Sequence, residues 1–489
     1  MNKRKFAQSL AAVAAVAAAA ALATNATAQS DGFVAGYPTD EKSQELFEEF
    51  DYQAAVQAYI WATPMLNSLG LNEAMQRDVG MKPGELATAI FNKRQLPHHT
   101  VMTANNEVVY IISQLINTAE TGPVVIETPK GGLGFAVDLF MRPLEDFGNL
   151  GPDKGEGGKY LFLPVGYDGD VPEGYFPVRM KHSDHFWALV RTFPNNPGMT
   201  LDKAVDLGKE MKIYPLIGPG AGEQGRVLLV GDGPFDQDWP KDEKAFEWMA
   251  RGINMDRASA ASLSTLGNLR RLGIEKGKPF EPDSRAQAIF ARAAKTGWEM
   301  VRAMAFNNRF DGARIYEDRQ WEKIAHYSSP WFLTDNYVEV EERAAGWYQL
   351  VGNTSKVVPP SPGAGVFYTV TYKDADGKML DGSGTYRLTM PAEVPVTQFW
   401  QVPVYSNATR SLIDTDQKRP TRSSTDDGLV VNEDGSVDVY FGPEAPDGLE
   451  PNWFKTKPGE GWFVLLRLYG PLEPILEKTW KPNDIERID

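Results

Sequence analysis

Apolar residues recur at three- and four-residue steps in six stretches of the chain, a spacing typical of helices that bury one face. We predict helical segments over residues 43–62, 65–79, 202–211, 245–272, 284–304 and 338–351. Pro64 lies between the first two segments. It is expected to interrupt them, because proline removes a helical hydrogen bond and its ring clashes with the preceding turn.

Shorter apolar runs, bounded by Gly, Pro and Asp turns, predict two groups of β-strands. The first group comprises residues 108–112, 124–126, 134–139, 160–165 and 186–192. The second comprises residues 366–372, 384–390, 399–404, 437–441 and 462–468. Residues 218–233 are rich in glycine and are expected to form a loop. Short strands at this spacing favour antiparallel sandwiches, so the fold class is predicted to be mainly β with an α-helical insert.

The last predicted strand has the clearest pattern of all. Residues 462–466 are five consecutive apolar residues between the turn at 458–461 and the stop at Gly470. A run of this kind indicates a strand that is buried on both faces. Arg467 follows inside the same strand and needs a partner there, because a buried unpaired charge is costly.

The N-terminus has the pattern of a secretory signal peptide. Residues 3–5 are basic, residues 6–22 are a run dominated by Ala, Val and Leu, and residues 26–28 offer a small-x-small cleavage site. We therefore predict cleavage after Ala28 and a periplasmic or secreted protein. An uncleaved anchor is the weaker alternative, since the run is short and is followed at once by that site. No other stretch approaches the length of a membrane span, so none is expected after cleavage.

The net charge and the absence of cysteine reduce the number of possible partners and reaction types. The formal net charge is −15, and removal of the three basic residues of the signal makes it more negative. This charge disfavours nucleic acid and anionic membrane surfaces as partners. The chain has no cysteine, which excludes disulfides, thiolate metal ligands and a cysteine nucleophile.

Several short motifs occur along the chain in an order that is typical of one protein family. The first half contains 59–64 (Tyr-Ile-Trp-Ala-Thr-Pro), 103–107 (Thr-Ala-Asn-Asn-Glu), 122–125 (Gly-Pro-Val-Val), Asp138, 151–160 and Arg191 with Thr192. The second half contains 372–377, 380–382, Tyr386, 399–400, 432–436, Asn452 with Trp453, 466–471 and 480–482. With these motifs the chain resembles the bacterial family in which domain of unknown function 1254 is followed by domain of unknown function 1214. The family pattern often has Pro and Asp where this chain has Ala104 and Glu107.

The resemblance implies an N-terminal immunoglobulin-like sandwich, a helical insert and a C-terminal jelly-roll-like sandwich. It implies no agreed activity, and a fold alone does not supply one. We place the signal at 1–28, the domain of unknown function 1254 at 43–215, the helical insert at 216–352 and the domain of unknown function 1214 at 353–489.

Motifs for metal, nucleotide and serine chemistry are absent from the sequence. His182 and His185 are three residues apart, a spacing that puts them on opposite faces of a strand. The glycine-rich run at 218–222 lacks the Lys-Ser/Thr of a P-loop, and no Gly-x-Ser-x-Gly elbow is present. We therefore predict no metal and no cofactor.

Polar residues in the family motifs are the remaining candidates for a site. Asp138 and Arg467 are the candidate catalytic residues, because each lies in an apolar strand. The candidate ligand-binding residues combine amide, guanidinium and aromatic groups: Asn105, Asn106, Arg191, Trp400, Tyr405, Asn452 and Trp453. Structural pairing of the charges and core packing of the aromatic rings are the alternative interpretations.

Three functions remain open. The favoured hypothesis is a periplasmic protein that binds a small molecule or glycan in a cleft between two β domains. The first alternative is a periplasmic hydrolase or lyase that uses carboxylates and arginine, with Asp138 and Arg467 as its catalytic pair. The second is a structural or assembly protein of the envelope, which would form a homo-oligomer.

Overall fold

A computed structural model describes residues 32–259, 262–324, 329–352, 361–363 and 365–489. The predicted signal peptide at 1–28 lies outside these residues. Within the described ranges, every helix is either too short or too polar to cross a membrane.

The first part of the chain alternates short strands with a few helices. Its strands are β1 (Phe33–Val34), β2 (Tyr37–Pro38), β3 (Ala87–Phe91), β4 (Val109–Ser113), β5 (Ile116–Asn117), β6 (Val124–Thr128), β7 (Leu133–Asp138), β8 (Pro143–Phe147), β9 (Gly158–Leu163), β10 (Phe176–Arg179), β11 (His185–Thr192), β12 (Lys212–Pro215) and β13 (Arg226–Val230). Its helices are α1 (Asp40–Arg77), α2 (Thr118–Thr121) and α3 (Leu201–Lys209), with a 3-10 turn at Gly148–Leu150.

The second part consists of helices followed by strands. Its helices are α4 (Lys244–Met255), α5 (Leu263–Arg270), α6 (Ser284–Phe306), α7 (Val340–Gln349) and α8 (Glu473–Leu476), with a 3-10 turn at Glu450–Asn452. Its strands are β14 (Val366–Thr371), β15 (Tyr386–Met390), β16 (Trp400–Ser406), β17 (Thr421–Ser423), β18 (Val437–Gly442), β19 (Trp453–Lys455), β20 (Trp462–Tyr469) and β21 (Glu486–Arg487).

Two sheets and a layer of helices build the N-terminal part. The central sheet has the order β13-β3-β4-β11-β7-β8, with β5 also paired to β11, and the outer sheet has the order β10-β9-β6-β12. Ile111 and Val190 of the central sheet pack with Phe162 and Ile213 of the outer sheet in one apolar core. The opposite face of the central sheet packs on α1, α4, α6 and α7. The central sheet is therefore buried on both faces.

Helix α1 corrects the prediction that Pro64 separates two helices, because it runs from Asp40 to Arg77 with Pro64 inside. Every residue from 54 to 71 except Gln57 is buried. The Thr63 hydroxyl donates to the carbonyl of Tyr59, 3.2 Å away, in the turn before the proline. Burial on all sides thus outweighs the lost hydrogen bond, as tertiary packing commonly does for helices.

The predicted loop at 218–233 is also corrected, because it contains strand β13. This strand pairs in parallel with β3 at the edge of the central sheet. The run of branched residues Val227 to Val230 has high strand propensity, and an edge position needs partners on one side only.

The C-terminal part is a sandwich of two four-stranded sheets. The interface sheet has the order β14-β20-β16-β17, and the far sheet has the order β19-β18-β15-β21. Trp462, Val464, Leu466 and Leu468 of β20 point into the core between them. All eight residues of β20 are buried, which confirms the predicted strand. Its alternate residues, Arg467 among them, face the N-terminal part.

The fold class is confirmed as mainly β with helices, arranged in sandwiches. Most strand pairs are antiparallel as predicted, but β9 with β10, β3 with β13 and β18 with β19 are parallel. The immunoglobulin-like and jelly-roll-like topologies and the domain boundaries stay predictions.

Candidate functional site

The segment at 103–107 joins the two halves of the protein. One half consists of the two N-terminal sheets with the helices that pack on them, and the other half is the C-terminal sandwich. The backbone N–H of Thr103 donates to the carbonyl of Arg410 at 2.7 Å, and its hydroxyl donates to the carbonyl of Gln349 at 2.8 Å. Thr103 has a φ of 44°, which is unusual for a β-branched residue. Because bonds from two other parts of the chain fix this residue, the strained backbone is a consequence of the docking.

Arg467 lies in the middle of the interface sheet, directly between Tyr368 of β14 and Gln401 of β16. Its Nη2 donates to the carbonyl of Thr103 and to the hydroxyl of Tyr405, both at 2.7 Å. Its Nη1 reaches the Gln401 Oε1 at 3.4 Å. The residue is 3% exposed. All these acceptors are neutral, so the guanidinium is hydrogen-bonded but its charge is not paired.

Asn105 connects Arg467's neighbours to the N-terminal part. Its side-chain amide donates to the hydroxyl of Tyr469 at 2.7 Å and accepts from the amide of Gln401 at 3.2 Å. Its backbone N–H donates to the hydroxyl of Tyr110 at 2.9 Å. The same side-chain oxygen accepts the backbone N–H of Glu107 at 2.8 Å. The predicted site residues Asn105, Arg467 and Tyr405 therefore belong to one buried network.

The electrostatics of the network keep Arg467 charged. Burial alone lowers the pKa of Arg467, but the neighbouring tyrosines, first Tyr405 and then Tyr469, outweigh it and the pKa is raised. Burial raises the pKa of both tyrosine hydroxyls. At neutral pH the network therefore contains a cation and protonated phenols.

Arg191 approaches the same network from the central sheet. It pairs across the sheet with Tyr110, and its guanidinium lies 5.9 Å from the centre of the Phe135 ring. Arg467 and Arg191 both act to lower the pKa of Tyr469, against the larger effect of its burial. Both arginines thus affect the electrostatics of one tyrosine.

Glu107 closes the segment with a buried cluster of ion pairs. Its carboxylate pairs with Arg94 and accepts from the side-chain amide of Asn195 at 2.8 Å. The other carboxylate oxygen accepts from the Arg419 Nε at 3.0 Å and Nη2 at 2.7 Å. Burial raises the pKa of Glu107, but Arg419 and Arg94 outweigh it and hold the pKa below its usual value. The carboxylate is therefore ionised and links both halves of the protein.

A pocket of about 580 Å³ opens beside this cluster, between the two halves. Its lining combines charged, polar and aromatic side chains from both: Arg94, Glu107, Asn195, Phe399, Arg419, Thr425, Asp426 and Asp427. The ring of Phe399 stacks on that of Tyr469 at 4.3 Å. Phe399 therefore separates the pocket from the buried network around Arg467.

Arg410 anchors the two halves at a second point. It is fully buried and pairs with Asp238 at 2.9 Å. Its guanidinium lies 4.3 Å from the centre of the Tyr348 ring, with Trp239 and Trp298 slightly farther away. An arginine enclosed by aromatic rings and paired with a carboxylate is a rigid contact.

Asp138 lies apart from Arg467 and pairs with a different arginine. Its carboxylate accepts from the Arg142 Nε at 2.6 Å and from the backbone N–H of Arg142 and Phe140. Burial raises the pKa of Asp138 despite Arg142. Asp256, 3.6 Å from Arg142, has a pKa raised to about 6, mainly by burial. The structure does not bring the two candidate catalytic residues together.

The other predicted ligand residues are distributed over the fold. Asn106 accepts from the hydroxyl of Thr421 at 3.0 Å at the interface. Trp400 is in the core between the two C-terminal sheets. Asn452 bonds three backbone groups, two of Val430 and one of Asp438, all at 2.8 Å. Trp453 donates to the carbonyl of Gly442. Their roles as ligand residues stay predictions.

The sequence analysis missed Arg94, Arg410, Arg419 and Phe399. No local pattern marks Arg410 and Arg419, since their partners Asp238 and Glu107 lie 172 and 312 positions away, and Arg94 lies 13 positions before Glu107, outside the predicted helices and strands. Glu107 was noted only as a departure from the family pattern. Its position inside the Thr-Ala-Asn-Asn-Glu motif was the one available signal.

The fold and the interface define a class of protein with two β-sandwiches that meet through a buried polar segment. Residues 88–215 match the model described as Protein of unknown function (DUF1254), and residues 365–473 match the model described as Protein of unknown function (DUF1214). The chain therefore contains a DUF1254 segment followed by a DUF1214 segment, in the order that the sequence predicted. No curated protein matches it.

Two solved structures of other proteins are similar to this chain to different degrees. The chain is similar to the VPA0106 protein from Vibrio parahaemolyticus, with a TM-score of 0.54, 18% identity, and coverage of 90% of this chain and 100% of that one. An uncharacterised protein from Burkholderia cenocepacia matches with a TM-score of 0.37 and 13% identity, over 91% of this chain and 96% of that one. The first similarity supports the fold alone.

Proposed function

We propose that the protein binds a small polar molecule, such as a saccharide, in the pocket between its two halves. The observation that carries this proposal is the pocket itself, which has about 580 Å³ and takes its lining from both halves. Ligand pockets commonly have volumes of about 300–1,000 Å³ and lie at domain interfaces.

The lining favours a polyhydroxylated ligand. Phe399 is half-buried and offers an apolar ring, against which the C–H face of a sugar packs. Asp427 is exposed, and no hydrogen-bond partner for its carboxylate is found in the described part of the chain. Its carboxylate is therefore available to accept hydrogen bonds from the hydroxyl groups of a ligand. Glu107 is already held by Arg94 and Arg419, so it shapes the pocket instead of contacting the ligand.

Phe399→Ala and Asp427→Asn test this proposal. We expect a saccharide that stabilises the wild-type protein to bind each variant roughly tenfold more weakly, because the variant loses one wall or one acceptor. A panel of mono- and disaccharides would be screened by thermal shift, and the affinity of each hit would be measured by calorimetry.

The matched controls are Phe47→Ala and Asp170→Asn, which change exposed residues that do not line the pocket. The controls should keep the wild-type affinity. Equal affinity for Phe399→Ala, Asp427→Asn and their controls would place the saccharide elsewhere and contradict the proposal.

The two alternative functions have less support. Acid–base chemistry by Asp138 with Arg467 requires groups that share a site, whereas Asp138 is bound by Arg142. An assembly role has one supporting observation, which is the exposure of Leu46, Phe47 and Phe50 on α1.

We further propose that the protein is exported to the periplasm and cleaved after Ala28. The basic residues, the apolar run and the small-x-small site at 26–28 support this. The N-terminal sequence of the protein recovered from a periplasmic fraction should begin at Gln29. Recovery of uncleaved protein in the membrane fraction would contradict cleavage.

A further inference from the structure

The strongest unexplained feature of the interface is a buried arginine without an anionic partner. Arg467 forms no ion pair within the described residues, and its Nε is buried without a hydrogen-bond partner. The undescribed internal segments, 260–261, 325–328, 353–360 and 364, contain no Asp or Glu. Since an uncompensated buried charge is costly, a site of this kind gains from an external anion.

A second arginine, linked to the same network through Tyr110 and Asn105, also lacks an anionic partner among the described residues. The Nε of Arg191 is also buried without a partner, and no ion pair of Arg191 is found in the described part of the chain. Both arginines influence Tyr469 electrostatically. Two cations near one phenol repel each other, and an anion bound between them would offset this repulsion.

Two phenols complete a set of unused donors. Tyr110 pairs with Arg191 in the central sheet, and Tyr368 pairs with Arg467 in the interface sheet. The hydroxyl of Tyr110 accepts from Asn105, and no acceptor for its proton occurs among the described residues. Tyr368 is half-buried and its hydroxyl has no described hydrogen-bond partner. The strand registers thus pair the four groups two by two, and Asn105 connects the pairs through its hydrogen bonds to the hydroxyls of Tyr110 and Tyr469.

We propose that these groups form a binding site for the carboxylate of a small organic acid, with Arg467 and Arg191 as its charged ligands. The arginines compensate the charge of the carboxylate, and Tyr110 and Tyr368 donate to its oxygens. A monoanion fits better than phosphate, because burial of a second charge raises the desolvation cost. The rings of Tyr368, Tyr469 and Phe135 favour an apolar or aromatic remainder. This site is separate from the saccharide pocket and does not depend on it.

Thermal unfolding of the mature protein in sodium benzoate, acetate, chloride and phosphate, at matched ionic strength, tests the proposal. We expect the two carboxylates to raise the melting temperature in a concentration-dependent manner, and benzoate to act at lower concentration than acetate. Chloride and phosphate should have no effect beyond that of ionic strength. Stabilisation by phosphate or chloride equal to that by benzoate would overturn the assignment of a carboxylate.

Arg191→Met and Tyr368→Phe locate the site, because neither change removes a described hydrogen bond. We expect benzoate to bind Arg191→Met at least roughly tenfold more weakly and Tyr368→Phe severalfold more weakly. Arg467→Met should abolish the response, and if it does not fold, the first two variants decide the result. The control is Arg309→Met, since the Arg309 side chain is 81% exposed. An unchanged benzoate affinity in Arg191→Met and Tyr368→Phe would overturn the proposal. Saccharide binding, measured with its own probes, is independent of either outcome.

Discussion

Replacement of Asp238 by Asn is expected to destabilise the protein by about 3–5 kcal/mol, because it leaves the buried guanidinium of Arg410 without its counter-charge. Arg410 is fully buried, and its other partners are the backbone carbonyls of Tyr348 and Ala408. Burial raises the pKa of Asp238, but Arg410 and Lys241 outweigh it, so the pKa is lowered. Its contribution to stability is therefore present at neutral pH and lost as the pH falls below about 4.

Urea unfolding at pH 7 and at acidic pH measures both parts of this prediction. The matched control is Glu341→Gln, which breaks the exposed pair of Glu341 with Arg309, where the side chains are 41% and 81% exposed. An exposed pair of this kind contributes about 1 kcal/mol or less. If Asp238→Asn costs no more than the control, the aromatic rings around Arg410 hold it without the carboxylate, and the anchor is not an ion pair.

Local sequence pattern predicts the long apolar strands of this fold, such as β20, but it misses several others, β3 and β13 among them. The run at 462–466 is apolar without interruption, and only a strand between two packed layers suits it, so β20 was predicted with its burial. Pro64 has the local signal of a helix end, yet α1 continues because its middle is buried on all sides. Strand β13 was missed because glycines surround it and its pairing with β3 is more than a hundred residues away in sequence.

In the candidate site, too, residues with a local sequence signal were predicted, whereas contacts between distant residues were not. Asn105 and Arg467 were predicted as candidates, because an amide in a turn motif and a charge in an apolar strand are visible in the sequence itself. Their mutual proximity was not predictable, since 362 positions separate them in the numbering. For the same reason the sequence pairs Arg467 with Asp138 as catalytic candidates, whereas in the structure Asp138 is bound by Arg142, four residues away. Pairing between halves depends on tertiary structure and leaves no local pattern.

Charges at the interface fall into two groups with different consequences. Arg410 and Arg419 cross the interface to carboxylates, so their charges are compensated within the protein. Arg467 and Arg191 form no ion pair with a carboxylate among the described residues. Their charges are therefore the ones that we assign to the proposed carboxylate site. The first group fixes the position of the two halves, and that fixed position is what holds the second group in place.

Glu107→Gln is expected to destabilise the protein by about 2–3 kcal/mol, since it removes the negative charge that Arg94 and Arg419 share. The cost is below that of Asp238→Asn because the two arginine side chains are 35% and 40% exposed and gain solvation when released. Arg419 also keeps Asp426, 2.7 Å away. The pKa of Glu107 is lowered in the folded protein, so its contribution is present at neutral pH and lost on acidification below about 4.5.

Glu107→Asp distinguishes the effect of side-chain length at this position from the effect of charge. It keeps the negative charge but shortens the side chain by one methylene, so one of the two arginine contacts must lengthen, and we expect about half the loss of Glu107→Gln. Urea unfolding measures both variants, with Glu156→Gln as the control, because Glu156 and its partner Lys130 are both 70% exposed. A loss in Glu107→Gln no larger than in the control would mean that Asn195 and Asp426 suffice to hold the arginines. In that case the carboxylate at 107 would be free to contact the ligand of the pocket that it lines.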